Sequence, residues 1–204
     1  TFLVFLITLF PLTLLIGSSF VNSSIVLIDI LFLFILIKEK KIDFLKNRTF
    51  YILLLLWVTL IINMSLSINI ENSLSRSIGF IRFIIFVFAI KFIINKNKVD
   101  DKLIFTSWSI IFFIVSFDII FESIFGFNTL GFKSYLPGRI SSFLNDELKI
   151  GNFYFGFILL TLSFVYYSLK TKKFFLIFLI FFTFVSFIIG ERSNFIKVFI
   201  ITFL

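Results

Sequence analysis

Long apolar runs alternate with short polar punctuation along the whole chain. The runs cover Phe2–Ile16, Ile25–Ile37, Phe50–Leu66, Ile78–Ile94, Leu103–Phe121, Phe153–Leu169 and Phe174–Ile189, and a further run begins near Phe195. Blocks of this size approach the roughly 20 residues that a helix needs to cross a bilayer. The pattern therefore predicts an all-α integral membrane protein: a polytopic helical bundle with seven complete or nearly complete transmembrane spans and the start of an eighth. Positions 1–204 read as one transmembrane domain. Pro11 lies inside the first run, where neighbouring helices can re-satisfy the carbonyl it frees. That run lacks the basic flank and small-residue cleavage site of a signal peptide, so it reads as a span.

Composition agrees. The chain is 60% hydrophobic, against about 45–50% apolar, glycine included, in soluble domains. It has 36 phenylalanines, which read as lipid-facing filler in an AT-rich coding sequence rather than as an aromatic site. Cysteine and histidine are both absent. Disulfides, thiolate chemistry, histidine metal sites and a histidine general base are thereby excluded for these residues. The chain starts at Thr1 and stops inside an apolar run, so a fragment of a longer protein is expected, with further chemistry beyond Leu204.

Lysine distribution orients the expected spans. The segments Lys38–Arg48, Asn95–Lys102 and Lys170–Lys173 are basic and follow every second span, which assigns all three to the cytoplasm. The start of the chain is then cytoplasmic, and the long loop 123–151 faces the periplasm or outer surface. The net charge of +8 is mostly this cytoplasmic excess. It fits anionic headgroups and needs no nucleic acid.

The longest polar excursion, Asp118–Gly151, carries an arginine, the adjacent carboxylates Asp146 and Glu147, and several glycines. Of the five arginines, only Arg48 falls in a cytoplasmic segment; Arg76, Arg82, Arg139 and Arg192 lie on or near the outward side. Arginine's planar fork suits phosphate. Arg139, after Pro137-Gly138, reads as an anion contact, or else as a solvated arginine or one paired with Asp146 or Glu147. Arg192, in Gly190-Glu191-Arg192-Ser193-Asn194, reads as a second phosphate ligand oriented by Glu191 or Ser193, or as an interfacial anchor. Arg82 sits about one turn inside its span, where a charge is costly and faces a bundle interior or snorkels outward; Arg76 reads as an anchor. Asp118 and Glu122 share a helical face and read as balance for the outward arginines more readily than as a proton relay; Asp29 is a similar carboxylate. Asp146 and Glu147 read as a general base or as solvated loop charges. No metal-cluster spacing, nucleophile elbow or phosphate-binding glycine loop is present.

Three segments together resemble the O-antigen ligase and polymerase superfamily. Asp118–Gly131 followed by Gly138-Arg139-Ile140-Ser141-Ser142-Phe143 is similar to its central region, Gly190–Asn194 to its later Gly-Glu-Arg turn, and Ser77–Phe83 to its upstream Arg-Phe run. They fall in the expected order over about Ser77–Phe195. Ser142 departs from the pattern, which has glycine there, and the family's histidine-bearing loop would lie past Leu204. The resemblance implies metal- and cofactor-independent glycosyl transfer from undecaprenyl pyrophosphate to a lipid A-core sugar or another repeat unit. Arg139 and Arg192 would clamp the pyrophosphate, with Arg82 auxiliary; Glu191, Asp146 and Glu147, read from the residues themselves, are further candidate substrate contacts. A lipid-linked oligosaccharide flippase or other transporter is the alternative, but the chain shows no internal repeat and its charges cluster outward rather than at mid-membrane.

Overall fold

The computed structural model describes residues 2–96, 98–134, 136, 138–144 and 150–203. Among these residues there is no strand, and the apolar runs all become helix: α1 (Phe2–Ile16), α2 (Ser18–Lys38), α3 (Arg48–Ser65), α4 (Ile70–Gly79), α5 (Ile81–Lys96), α6 (Lys98–Phe125), α7 (Ile150–Leu169), α8 (Lys172–Ile188) and α9 (Arg192–Phe203). Ile42–Leu45 and Ser142–Leu144 form short 3₁₀ turns. Helix is the local solution that pairs every backbone N–H and C=O within the segment, which apolar surroundings require.

Five helical stretches are long and apolar enough to cross a membrane: Ser18–Lys38, Arg48–Ser65, Ser73–Lys96, Asp100–Phe125 and Ile150–Ser168. The other helices of the expected seven to eight spans are shorter than these five: α1 has 15 residues and α8 has 17, against 18 or more in each of the five. The case for apolar surroundings is clearest at α3, which buries no side chain. Tyr51, Ile52, Leu55, Val58 and Ile62 are all exposed along it. A soluble chain would leave no such face in water.

Breaks between helices have local causes. Gly17 adopts φ 142° between α1 and α2. Asn47 caps α3, its side chain accepting from the Phe50 N–H at 3.0 Å. The polar stretch Ser67–Ser77 between two apolar runs is itself mostly helical, as α4, and its far end is tied to α3 where the Trp57 indole donates to the Ser77 carbonyl at 2.9 Å. The fifth apolar run outlasts its expected end at Phe121, because α6 continues to Phe125. There Gly126, at φ 75°, donates its N–H back to the Glu122 carbonyl at 2.8 Å. A left-handed glycine closing a helix in this way satisfies a carbonyl that would otherwise be orphaned.

The chain divides into two units, one formed by residues 1–7 and 21–101, the other by 8–20 and 102–204. In the first, α2, α3, α5 and the 3₁₀ turn interlock through phenylalanines. Phe32 and Phe44 both meet Phe92, and Phe50 meets Phe88 edge-on at 5.1 Å between ring centres. Below them Glu39 accepts from Lys41 at 2.8 Å and Lys96 at 2.6 Å. These two hydrogen bonds hold its carboxyl down at about 2. Both lysine partners are exposed enough that the pairs stabilise little.

In the second unit α6 and α7 run antiparallel, with Phe112 against Tyr154 and Trp108 against Phe157. Phe182 of α8 closes on Phe112, and Phe187 of α8 meets Phe195 of α9. Offset and edge-on ring pairs of this kind add about 0.5–1.5 kcal/mol each beyond their burial.

Candidate functional site

The site is built at the end of α6, where two buried carboxylates hold the loop that follows. Asp118 and Glu122 are four residues apart and therefore share a face; they are 1% and 4% exposed. Thr129 donates to Asp118 Oδ1 from both its backbone N–H (2.8 Å) and its hydroxyl (2.6 Å). The Ser142 hydroxyl donates to Asp118 Oδ2 at 2.6 Å. One turn on, Glu122 Oε2 accepts the Ser142 N–H at 2.7 Å and Oε1 the Ser141 N–H at 3.4 Å. Among the described residues neither carboxylate forms an ion pair, so their partners are loop donors and not the arginines they were expected to balance.

Asn128, wholly buried, completes the loop from within. Its side-chain carbonyl accepts from the Leu130 and Phe132 N–H groups, and its amide donates to the Ser142 carbonyl at 2.7 Å. Ser142 consequently has its N–H, hydroxyl and carbonyl all bound. It also sits at φ 50°, a left-handed conformation that glycine adopts freely and serine does not. Three fixed hydrogen bonds over-determine that strained backbone.

The loop then passes the turn between α8 and α9. The Ile140 N–H donates to the Ile189 carbonyl at 3.2 Å. Gly190, at φ 79°, lies so close to Gly138 that a Cβ there would run into the Gly138 carbonyl oxygen. At the start of α7, Gly151 donates its N–H to Glu191 at 3.3 Å, and a Cβ on Gly151 would overlap the side chains of Glu191 and Asn194. Asn194 in turn donates to the other Glu191 oxygen. Glu191 is thus turned towards Gly151 and Asn194; it was expected to orient Arg192.

The two arginine-bearing turns are in this way brought side by side. Arg139 and Arg192 are both exposed, and neither has an ion-pair partner among the described residues. Arg139 lines a cleft of about 410 Å³ together with Glu122, Ser123, Ser134, Gly138 and Ile140. Among the described residues the cleft brings one exposed cation, Arg139, together with the buried carboxylate Glu122, whose oxygens already accept the Ser141 and Ser142 N–H groups. Asp146 and Glu147 lie outside the described residues. Arg82 belongs to the first unit, where its guanidinium lies over the Phe83 ring at 4.9 Å and its charge acts on Asp29. Among the described residues, Asp29 Oδ1 and Arg82 Nε are buried without hydrogen-bond partners.

The clasp yields a direct test. Gly190→Ala should destabilise the second unit by at least the roughly 1–2 kcal/mol of left-handed strain, with the carbonyl overlap added. Thermal unfolding of the purified protein in detergent would read it, and an unchanged midpoint would contradict the apposition of Gly138 and Gly190. Asn128, Ser142, Gly151 and Gly190 were not expected as structural pivots. The sequence signal for them is weak: an Asn–Gly pair three apart and single glycines at run boundaries. No family model, curated protein or solved structure matches this chain.

Proposed function

We propose that this chain is part of a membrane glycosyltransferase of the O-antigen ligase and polymerase type. The observation that carries the reading is the apposition of Gly138-Arg139-Ile140 with Ile189-Gly190, which sets two exposed arginines on neighbouring turns, neither ion-paired among the described residues and Arg139 lining a cleft. In this reading the pyrophosphate of an undecaprenyl-linked glycan is held by Arg139 and Arg192, and negative charge on the leaving phosphate is neutralised as the sugar–phosphate bond breaks. The acceptor hydroxyl belongs to a lipid A-core sugar or another repeat unit. The apolar tail lies among the helices. Glu191 positions the α9 turn through Gly151 and Asn194. Ser142 adds support: where the family pattern has glycine, this chain has a backbone conformation suited to glycine.

The same reading takes the bundle as seven to eight spans in a bacterial inner membrane, α1 and α8 crossing with local thinning or tilt of neighbours, and residues 123–151 on the outer face. The absence of cysteine gives a clean background for testing it. Single cysteines at Ser134 and at Lys170 should be labelled by a membrane-impermeant maleimide from opposite sides of intact cells; labelling of both from the same side contradicts the orientation. For the activity, a strain deleted for its own ligase or polymerase is complemented with wild-type or Arg139→Ala protein at equal membrane levels. Glycan transfer restored by both would remove Arg139 from the mechanism.

A further inference from the structure

A second cleft, of about 640 Å³, lies at the other end of the α6–α7 pair. Its walls are apolar, from Phe105 on α6 and Leu160 and Phe164 on α7. Its polar groups are Lys102, Ser163, Tyr167 and Ser168. The α7 residues recur at three- and four-residue steps and so form one continuous helical face. Among the described residues, the Lys102 ammonium and the hydroxyls of Ser163, Tyr167 and Ser168 have no hydrogen-bond or ion-pair partner. Lys170, Lys172 and Lys173 follow directly on the end of α7. Asp100 and Asp101 precede Lys102 but do not line the cleft, so cations outnumber carboxylates at this end.

We propose that this cleft is a binding site for an anionic phospholipid. The phosphate is held by Lys102, the headgroup hydroxyls by Ser163, Tyr167 and Ser168, and the upper acyl chain lies along Phe105 and Phe164. An amphiphile with one negative charge is the occupant that uses both halves of the lining. A soluble anion leaves the aromatic wall wet, and a neutral apolar helix leaves a cation and three hydroxyls unpaired. Basic pockets between transmembrane helices are suited to such headgroups. The inference rests on α6 and α7 being membrane spans, not on the transferase reading.

The purified protein is reconstituted in nanodiscs of phosphatidylcholine doped with phosphatidylglycerol, and co-retained lipid is measured by native mass spectrometry. Phosphatidylglycerol should be enriched over its bulk fraction, and Lys102→Glu should reduce that enrichment at least about fivefold, the loss of one interfacial cation being the lower bound. Lys102→Gln should give an intermediate loss, with unfolding in pure phosphatidylcholine unchanged for both variants. Equal retention of the two lipids, or enrichment indifferent to both substitutions, overturns the site. So does competition by glycerol phosphate at the same concentration as lipid, which would make it a soluble-anion site, or exclusion of lipid by a protein segment cross-linked through Tyr167. Release of the chain from membranes by alkaline carbonate would instead remove the premise of spanning helices.

Discussion

Arg139→Ala is expected to lower transfer from a lipid-linked pyrophosphate donor by about 100- to 1000-fold, the range for removing one preorganised donor from a developing negative charge. The loss should sit in kcat and kcat/KM together, since the charge is greatest in the transition state. Arg139→Lys keeps a charge but loses the planar fork, so it should recover only part of the rate. Arg192→Ala should behave alike. If both clamp one pyrophosphate, the double variant should lose much less than the product of the single losses, because the pair acts as a unit. Full multiplicativity would mean the two arginines serve separate ends. Unchanged transfer in either single variant would end the proposal for that residue. Exposure of both side chains makes a folding artefact easy to exclude by comparing membrane levels.

Asp118→Ala is expected to be the most destabilising single change at the loop. It strips the acceptor from the Thr129 N–H, the Thr129 hydroxyl and the Ser142 hydroxyl at once. Each buried donor left unmatched costs about 1–3 kcal/mol, so a total of about 3 kcal/mol or more is expected, with hydrogen-exchange protection lost at the amides of Thr129, Ser141 and Ser142. Asp118→Asn keeps a carbonyl oxygen for Thr129, and the Ser142 hydroxyl can rotate to accept from the new amide. It should therefore be much milder in denaturation measured in detergent. A carboxylate working as a proton relay would show the opposite pattern: full stability in both variants and equal loss of transfer.

The helices were legible because apolar run length alone decides them once water is absent, and every run became helix. Their ends were less so: the fifth run is expected to end at Phe121, yet the helix runs on to Phe125 and closes at Gly126. At the site, the arginine turns stood out through their glycines. That Asp118 and Glu122 share a face was also legible, from spacing. Their purpose was not. Partners such as Thr129 and Ser142 are chosen by the return path of the loop, and the left-handed backbone at Ser142 is invisible in a residue type that rarely adopts it. The close approach of Gly138 to Gly190 joins positions far apart in the chain, which no local pattern encodes. Asp29 and Arg82 illustrate the converse: each was noticed singly, and only the fold makes them neighbours.

Both carboxylates that grip the loop come from successive turns of one helix, and they seize it at Thr129 and again at Ser141 and Ser142. The chain between these grips therefore leaves and returns to a single anchored spot. Closing such a ring is entropically almost indifferent to its length, each doubling adding only about 0.6 kcal/mol. Evolution can lengthen, shorten or rewrite the stretch between Phe132, the last residue bound by Asn128, and Gly138, which abuts Gly190, without disturbing the anchorage or Arg139. The stretch between the two grips is thus separable, in heredity as in structure, from the carboxylates that hold it.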